Sequence, residues 1–254
     1  EKTATLAKEE KRVCGWRLKE GMGKIMAQLE NLKDTPLIRD RVYDALRKEI
    51  LMGGFAPGET LNILSISKQM GISCAPIREA LNMLNKDGLV ELMPYKKAVV
   101  ADGTQEDYDV AFDLRLMLEP YAIRHSVGAI SDEEIAQMRL RLQSTYDNAG
   151  SVAEFYDCDN DFHHLLYRHV DSKLLISTLD TVRTYTMRYY TRRFDMIVAA
   201  KRKLYQDDSY DQQKTIRDET KEHMEILDAV AARDGAKAAQ LLSNHISLTS
   251  NAFE

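Results

Sequence analysis

The fold of the first third of this chain is decided by the stretch Ser73-Cys74-Ala75-Pro76-Ile77-Arg78-Glu79-Ala80-Leu81. Before it, residues 63–70 have the apolar spacing of a short helix, and Gly71 breaks that spacing. Ser73 is a good N-cap residue and Pro76 is tolerated in a first helical turn, so a second helix is predicted to begin here and to run to Asp87. The sequence therefore predicts a helix, a tight turn and a second helix.

The outer face of the second helix carries polar donors. Its apolar spacing turns Leu81 and Leu84 inward, which leaves Arg78, Asn82 and Asn85 outside. A recognition helix in a major groove keeps the donors that reach base edges or phosphates on this face. The alternative for Arg78 is an exposed arginine that pairs only with Asn82 or water.

The flanking segments complete a winged helix. Leu37 to Met52 is predicted to form an amphipathic helix, which Gly53-Gly54 ends. Leu89 to Met93 and Ala98 to Ala101 are predicted as two short strands, joined by the turn Pro94-Tyr95-Lys96-Lys97. This wing would carry two lysines at its tip, where they can contact phosphate.

The combined pattern resembles the DNA-binding domain of GntR-type bacterial transcription regulators. The matching residues are Leu46-Arg47, Ile50, Gly53 or Gly54, Pro57-Gly58, Leu61, Ser73, Pro76 to Leu81, Leu84 and Gly88-Leu89-Val90. The resemblance implies that DNA is contacted by Arg47, Ser73, Cys74, Ala75, Arg78, Lys96 and Lys97. Cys74 departs from the arginine that is usual in the family, and Lys97 or Ala98 replaces the usual wing glycine. We therefore expect this chain to read an atypical DNA sequence.

The length of the chain allows one large or two ordinary domains, and its cysteines suit free thiols in a reducing compartment. The chain has 254 residues, of which 44% are hydrophobic, and no apolar run approaches the length of a bilayer span. It shows no apolar signal region at its N-terminus, and its three cysteines form no Cys-x-x-Cys pair. Residues 101–254 carry 18 Lys or Arg against 27 Asp or Glu, a net charge of −9, so the acidity behind the chain's net charge of −5 lies in this part. We expect a cytoplasmic protein with no membrane partner.

The chain is predicted to have three parts. Residues 1–35 are an extension with a partly helical, amphipathic stretch, marked by Leu18, Met22, Ile25, Leu29 and Leu32. That helix either packs on its own domain or serves as a dimer contact or a phosphate arm. Residues 36–101 are the winged helix-turn-helix domain, and residues 102–254 are an all-helical domain.

The all-helical domain shows no convincing strand and no repeat. Its helices are predicted near residues 105–127, 132–148, 152–170, 173–203, 212–233 and 235–252. The predicted fold class is therefore mostly α, with an N-terminal winged helix-turn-helix followed by an all-α bundle of about six helices that senses a ligand.

Four polar residues lie on the predicted apolar faces of this bundle. Asp159 and His163 are one turn apart in the third helix, His223 lies in the fifth, and His245 lies in the sixth. A buried carboxylate costs several kcal/mol unless it is paired or bound to a cation, and a divalent metal would satisfy all four groups. A hydrogen-bonded core histidine is the alternative for any one of them, but the set of four favours a metal site.

This arrangement resembles the metal-binding form of the FCD domain, which follows the winged helix in one branch of the GntR family. The resemblance extends to Asp159-x-x-x-His163, Glu222-His223 and Asn244-His245. It implies that the same four side chains bind a divalent metal, with Zn²⁺ as the first choice and Ni²⁺, Mn²⁺ or Fe²⁺ compatible. His164 is expected to point outward, and His125 and His169 to be surface or structural residues.

A metal with four protein ligands still has room for an effector, and the predicted effector is a small carboxylate. Arg115, in the first helix of the bundle, is aligned with small apolar residues and is the first candidate to bind it. On spacing alone, a pair between Arg115 and Glu119 one turn away is an equally good interpretation. The resemblance implies an effector-binding arginine at the position of Arg115. Arg188, in the predicted fourth helix, is the second candidate.

These features predict a transcription regulator, either a repressor or an activator, and not an enzyme. A homodimer, which the resemblance implies, would place two recognition helices on a palindromic operator in double-stranded DNA, and the effector would change its affinity for that operator. The alternative is a metal-dependent enzyme whose Asp/His centre activates water, although no His-Glu-x-x-His or phosphate-loop motif occurs. A third interpretation is a satisfied structural network, or a structural metal, in a constitutive DNA-binding protein.

Overall fold

The chain divides into two compact units, with the boundary between Asp102 and Gly103. The computed structural model describes residues 37–93 and 97–250. The helix predicted within residues 1–35 and the wing residue Lys96 lie outside these ranges.

The first unit is a winged helix-turn-helix, as predicted. Its elements are α1 (Ile38–Leu51), β1 (Thr60–Leu61), α2 (Ile63–Met70), α3 (Cys74–Lys86), β2 (Val90–Met93) and β3 (Lys97–Val100). The strands form an antiparallel sheet in the order β1-β3-β2, in which Leu61 and Leu92 both lie opposite Ala98. The sequence does not predict β1, because two residues are too few to show an alternating pattern.

The turn between α2 and α3 fixes where the recognition helix begins. Gly71 caps α2 with a φ of 64°, a left-handed conformation that favours glycine. Ser73 then precedes α3 in an extended conformation, although its side chain makes no capping hydrogen bond. The inner face of α3 packs against α1 in a core built from Val42, Leu46, Ile50, Ile77, Ala80, Leu81 and Leu84. The opposite face of α3 is exposed.

The second unit is an all-helical bundle, as predicted. Its described helices are α4 (Gln105–Ser126), α5 (Asp132–Asp147), α6 (Val152–Tyr167), α7 (Lys173–Arg192), α8 (Phe194–Tyr205), α9 (Gln212–Ala231) and α10 (Gly235–Ser250). Thr104 and Ser131 begin α4 and α5 with capping boxes, in which Asp107 and Glu134 return the hydrogen bond. Helix α4 packs against α6, α7 and α10, so the middle of α4 lies deep in the bundle.

The structure corrects one predicted helix. Residues 173–203 are predicted as a single helix, but α7 ends at Arg192 and α8 begins at Phe194. The intervening Arg193 has a φ of −128° and a ψ of 26°, which no α-helix accommodates. The break lets the Phe194 ring pack 6.1 Å from Phe155 and 5.9 Å from Tyr156, measured between centroids. The described part of the bundle therefore has seven helices where six are predicted.

The core of the second unit mixes apolar with charged side chains. Apolar residues such as Ile123, Phe162 and Leu179 are fully buried. Buried beside them are Arg115, Glu119, Asp159, His163, Arg183, Arg188, Lys201, Glu219, His223 and His245. Buried charges are rare unless they are paired, so this group marks the candidate site. Within residues 37–93 and 97–250, no helix is both long and apolar enough to cross a membrane.

Candidate metal and effector site

The four predicted metal ligands lie together inside the second unit. Asp159 and His163 face the same way because they are one turn apart on α6, while His223 comes from α9 and His245 from α10. One ligand atom from each side chain lies within 4.8 Å of the other three, and all four residues are buried. The helices therefore bring three imidazoles and one carboxylate to a common point.

The distances show which atoms converge. Asp159 Oδ1 lies 3.6 Å from His163 Nε2 and 3.5 Å from His223 Nε2. His223 Nε2 lies 3.0 Å from His245 Nε2. The three Nε2 atoms and one carboxylate oxygen thus surround a single position, which is the arrangement that a tetrahedral or open metal site requires.

Two further carboxylates hold the imidazole rings from behind. His163 Nδ1 is 2.7 Å from Glu119 Oε2, and His245 Nδ1 is 2.7 Å from Glu222 Oε2. Because a carboxylate only accepts, each Nδ1 carries a proton and donates it, which leaves the lone pair on Nε2. Carboxylates of this kind orient metal-binding histidines and raise their basicity. Spacing in the sequence pairs Glu119 only with Arg115, and Glu222 enters the motif only as the neighbour of His223.

Three buried polar atoms of this cluster, His163 Nε2 and Arg183 Nε and Nη1, lack a hydrogen-bond partner among the described residues, and only His163 Nε2 is a lone pair that a cation could bind. An unpaired buried acceptor costs about 1 to 3 kcal/mol, and a bound cation would remove that cost. A divalent cation at the common point would satisfy this lone pair together with those of the other imidazoles. The donor set therefore fits a metal such as Zn²⁺.

The protonation states of two of the three histidines suit a metal site. Burial, reinforced by the charge of Arg183, lowers the pKa of His163 to about 4. Burial and the neighbouring His245 lower the pKa of His223 well below its usual value. Burial alone would lower the pKa of His245, but its hydrogen bond to Glu222 and the charge of Glu219 raise it. His163 and His223 are therefore neutral at pH 7, the form in which imidazole binds a cation.

Asp159 is held in its ionised form. Burial alone would raise the pKa of its carboxyl group, but Arg183 and the neighbouring histidines lower it below the usual range. Arg183 Nη2 donates to Asp159 Oδ2 at 2.8 Å. The cluster thus offers a carboxylate, and not a carboxylic acid, at neutral pH.

Arg115 lies beside the cluster and makes the pair that its spacing predicts. Its Nε donates to Glu119 Oε1 at 2.6 Å, and both side chains are almost fully buried. Arg115 also lines a small cavity of about 20 Å³, together with Asp159, Glu219, His245, Tyr156, Tyr190, Phe155, Phe194 and Ile197. Arg115 therefore forms the ion pair with Glu119 and lines the cavity at the same time.

Arg188, the second effector candidate, is not brought to the cluster. It is buried with its guanidinium 5.0 Å from the centre of the Tyr185 ring. It also lies against Gly103, where an added Cβ would come 2.9 Å from Arg188 Cζ. Arg183, five residues earlier on α7, takes the place beside the metal ligands. Arg183 lies four residues after the apolar Leu179, but this spacing alone does not distinguish it from Arg188.

A second group of side chains borders the first. Glu219, Glu222 and His245 lie close enough together to hold a cation. The buried Lys201 from α8 fills that role, because its Nζ is 2.6 Å from Glu219 Oε1 and 4.0 Å from Glu222 Oε1. Burial alone would lower the pKa of Lys201, but the charges of these two glutamates raise it. Lys201 is therefore a buried ammonium that neutralises this side of the cluster.

The remaining histidines lie away from the cluster. His164 is half-buried and next to the Tyr167 ring, at 5.3 Å between centroids. His125 is exposed beside Tyr121, and His169 Nε2 contacts Glu134 Oε1 at 2.8 Å. His125 and His169 thus lie where surface or structural residues are expected, whereas His164, expected to point outward, is half-buried.

In the first unit, most of the predicted DNA-binding residues are accessible. Ser73, Ala75, Arg78 and Lys97 are exposed, whereas Arg47 and Cys74 are half-buried. Asn82 is exposed as expected. Asn85 instead uses its amide to donate to Val90 O at 2.7 Å, which ties α3 to β2. Asn85 is thus a structural residue as well as an outer-face residue.

Known proteins resemble this chain in both units. The family described as bacterial regulatory proteins, gntR family, matches residues 38–100, and the FCD domain family matches residues 110–248. The HTH-type transcriptional regulator YdhC of Bacillus subtilis is 30% identical over 59% of this chain and 68% of its own length. The HTH-type transcriptional repressor RspR of Escherichia coli is 23% identical over 85% of this chain and 88% of its own length.

A solved structure shows the same fold. E. coli McbR/YncC has a TM-score of 0.66 and 17% identity, covering 87% of this chain and all of that chain. The family matches span both units, and the relatives are transcription regulators rather than enzymes. The chain is therefore a DNA-binding transcription regulator that belongs to the GntR family, with a C-terminal FCD domain.

Proposed function

We propose that this regulator binds its operator with an affinity that is controlled by a small carboxylate effector at a divalent metal centre. The metal would be held by Asp159, His163, His223 and His245. The observation that carries this proposal is the buried His163 Nε2, which lacks a hydrogen-bond partner and points at the other ligand atoms. A purely structural network, the third interpretation of the sequence, leaves this atom unexplained.

The donor set makes Zn²⁺ the first choice of metal. Three imidazoles and one carboxylate suit Zn²⁺, while Ni²⁺, Mn²⁺ and Fe²⁺ tolerate the same ligands. When bound, the metal supplies a Lewis-acidic position for an oxygen of the effector. Glu119 and Glu222 would orient His163 and His245 toward it.

The charge balance of the site favours an effector with one negative charge. Four carboxylates lie at the cluster, namely Asp159, Glu119, Glu219 and Glu222. Three cations accompany them, namely Arg115, Arg183 and Lys201. With neutral imidazoles, the protein groups leave one negative charge, which a divalent metal would turn into one positive charge. A monocarboxylate would neutralise that charge, whereas a dicarboxylate would leave an uncompensated buried anion.

The small cavity explains how the effector could act on conformation. Its volume of about 20 Å³ holds roughly one water molecule. A carboxylate that reaches the metal beside Arg115 must therefore displace surrounding side chains. An effector that prefers the displaced arrangement shifts the population toward it, which is the requirement for control of operator affinity.

Operator binding itself would use a homodimer. Two recognition helices would enter successive major grooves of a palindromic site, presenting Arg78 and the flanking Ser73, Cys74 and Ala75. Arg47 and the wing lysines Lys96 and Lys97 would contact the phosphates. The resemblance of the chain to RspR favours repression as the direction of control.

Metal content tests this proposal directly. The protein is purified without chelator or nickel resin and assayed by plasma mass spectrometry. We expect about one metal ion per chain, since the ligand set defines one position. His223→Ala should lose the metal. His164→Ala is the matched control, because His164 is on α6 next to a ligand but outside the cluster, and it should keep the metal.

The opposite result would be clear. A native protein that carries no metal and takes up none on addition of Zn²⁺ contradicts the metal centre and favours the structural network.

If the metal is present, the effector class is tested by thermal shift with acetate, lactate and malonate. We expect the two monocarboxylates to raise the midpoint more than malonate, and Arg115→Met to abolish the difference.

A further inference from the structure

Arg183 is almost completely buried against one of the proposed metal ligands. Its side chain is 1% exposed, and it is the bulkiest fully buried side chain of the described residues. Such a guanidinium persists in a core only when its charge is compensated. Arg183 lies between two carboxylates, those of Asp159 and Glu119.

The two carboxylate oxygens of Asp159 have different partners, because Arg183 contacts only one of them. Arg183 Nη2 donates to Oδ2 at 2.8 Å and lies 3.5 Å from the backbone oxygen of the same residue. The other oxygen, Oδ1, faces His163 Nε2 at 3.6 Å and His223 Nε2 at 3.5 Å. One oxygen is thus held by the arginine, and only the other points at the metal position.

We propose that Arg183 is a positioning residue that keeps Asp159 a one-oxygen ligand and so reserves a coordination position for the effector. This inference rests on the proposed metal centre. A carboxylate can bind a metal through one oxygen or through both, and the second mode occupies the place that an exogenous ligand needs. A charge-assisted hydrogen bond of about 1.5 to 3 kcal/mol to Oδ2 opposes that second mode.

The guanidinium fork suits this task better than a point charge. While Nη2 hydrogen-bonds to Asp159, Nη1 makes only an ion-pair contact of 3.7 Å with Glu119 Oε1, and Glu119 in turn accepts from His163 Nδ1. Arg183 therefore spans a ligand and the carboxylate that supports another ligand. A lysine would keep the positive charge but could not present two groups in this fixed geometry.

The variant Arg183→Lys distinguishes a positioning role of Arg183 from simple compensation of buried charge. If Arg183 only neutralised buried charge, Arg183→Lys would leave the metal geometry unchanged. If it positions Asp159, both Arg183→Lys and Arg183→Met would release Oδ2 toward the metal. The number of metal ligands would then rise in both variants.

Cobalt spectroscopy measures that number. Co²⁺ is added to the metal-free native protein and to both variants, and the visible d–d bands are recorded before and after addition of acetate. We expect the bands of both variants to be several-fold weaker than those of the native protein, because their intensity falls as coordination number rises. We also expect acetate to change the native spectrum and to change the variant spectra much less.

Arg233→Met provides the matched control. Arg233 is a structural arginine just after α9 that donates to Val127 O at 3.0 Å and to Asp132, not to the proposed ligands, and its loss should leave the cobalt bands unchanged. Circular dichroism checks folding, and Arg183→Lys remains informative if Arg183→Met fails to fold.

Each failure has a distinct meaning. Native protein without cobalt bands would overturn the metal centre itself, and the role of Arg183 with it. Native bands that are unchanged in Arg183→Lys would overturn the role of Arg183 alone. A folded Arg183→Lys variant that binds no cobalt would overturn the one-oxygen assignment as well, since a freed Asp159 should still bind.

Discussion

His223 Nε2 lies 3.0 Å from His245 Nε2, and the two rings meet edge to face with 4.5 Å between their centroids. The contact arises because Glu222 accepts from His245 Nδ1 at 2.7 Å and turns the ring so that its Nε2 lone pair faces His223. Without a metal, two neutral rings can make this contact only if His223 Nε2 carries the proton and donates it to His245 Nε2. With a metal, both lone pairs are directed at the cation, so His223 must move its proton to Nδ1.

The role of Glu222 is tested by Glu222→Gln. The neutral amide holds His245 more weakly, and loss of a carboxylate behind a ligand histidine lowers metal affinity by about 10- to 100-fold. Competition with a chromophoric chelator measures the change. Glu225→Gln, an exposed glutamate on the same helix α9, should leave the affinity unaltered. Equal affinities in native protein and Glu222→Gln would contradict the orienting role.

Arg78 should contribute to operator recognition. After selection of bound genomic fragments, Arg78→Ala should bind the selected duplex more weakly by about 1 to 3 kcal/mol, the usual cost of losing a base contact. Fluorescence anisotropy at fixed salt measures it. Arg124→Ala makes the same charge change at an exposed position on α4 in the second unit and should bind normally. An unchanged affinity in Arg78→Ala would show that Arg78 is an ordinary surface arginine that does not contact DNA.

Asn85 should contribute to the stability of the first unit, whereas the exposed Asn82 should not. Asn85→Ala removes the hydrogen bond to Val90 O and should lower the free energy of unfolding by about 1 kcal/mol. Asn82→Ala, at an exposed position of the same helix, should leave the stability nearly unchanged. Urea unfolding measures both variants. Equal midpoints for the two would show that the contact between α3 and β2 adds nothing measurable.

Glu134 should make the stability depend on pH in the acid range. Hydrogen bonds from the Ser131 N–H and hydroxyl, with those of Arg168 and His169, lower the pKa of Glu134 from 4.5 to about 2. A lowered folded-state pKa means that the stabilisation is fully present above pH 4.5 and is lost as the pH falls toward 2.

The comparison with Glu134→Gln isolates this effect. The variant mimics the protonated form, so its deficit in the free energy of unfolding should shrink as urea titrations move from pH 6 to pH 3. Glu133→Gln, the exposed neighbour, is the control and should show no such trend. A constant deficit across this range would exclude Glu134 as the source.

The winged helix was predictable because its signals are local. Gly71 and Pro76 are turn and first-turn residues whose backbone preferences act within a few residues, and the apolar spacing of Leu81 and Leu84 defines the inner face. The grouping of Asp159 and His163 was equally accessible, since a separation of four residues places both on one face. His223 and His245 followed from their apolar neighbours.

The positioning groups were harder to predict because they depend on tertiary packing. Arg183 and Arg188 are five residues apart on α7, which places them roughly 140° apart around the helix axis. Which of them faces the cluster is decided by where α7 packs, and not by the spacing itself. The break at Arg193 was equally hard to predict. No glycine or proline marks the end of α7 there, and the helix ends where Phe194 becomes buried.

Glu119 gives the site one more property. Its Oε1 holds Arg115 at 2.6 Å, and its Oε2 holds His163 at 2.7 Å, so one carboxylate joins the proposed effector contact to the proposed metal contact. If binding at one contact alters this shared carboxylate, thermodynamic reciprocity requires each ligand to change the affinity of the other by the same factor. With such coupling, the proposed metal and effector would each strengthen the binding of the other, so the regulator would respond most strongly when both are abundant.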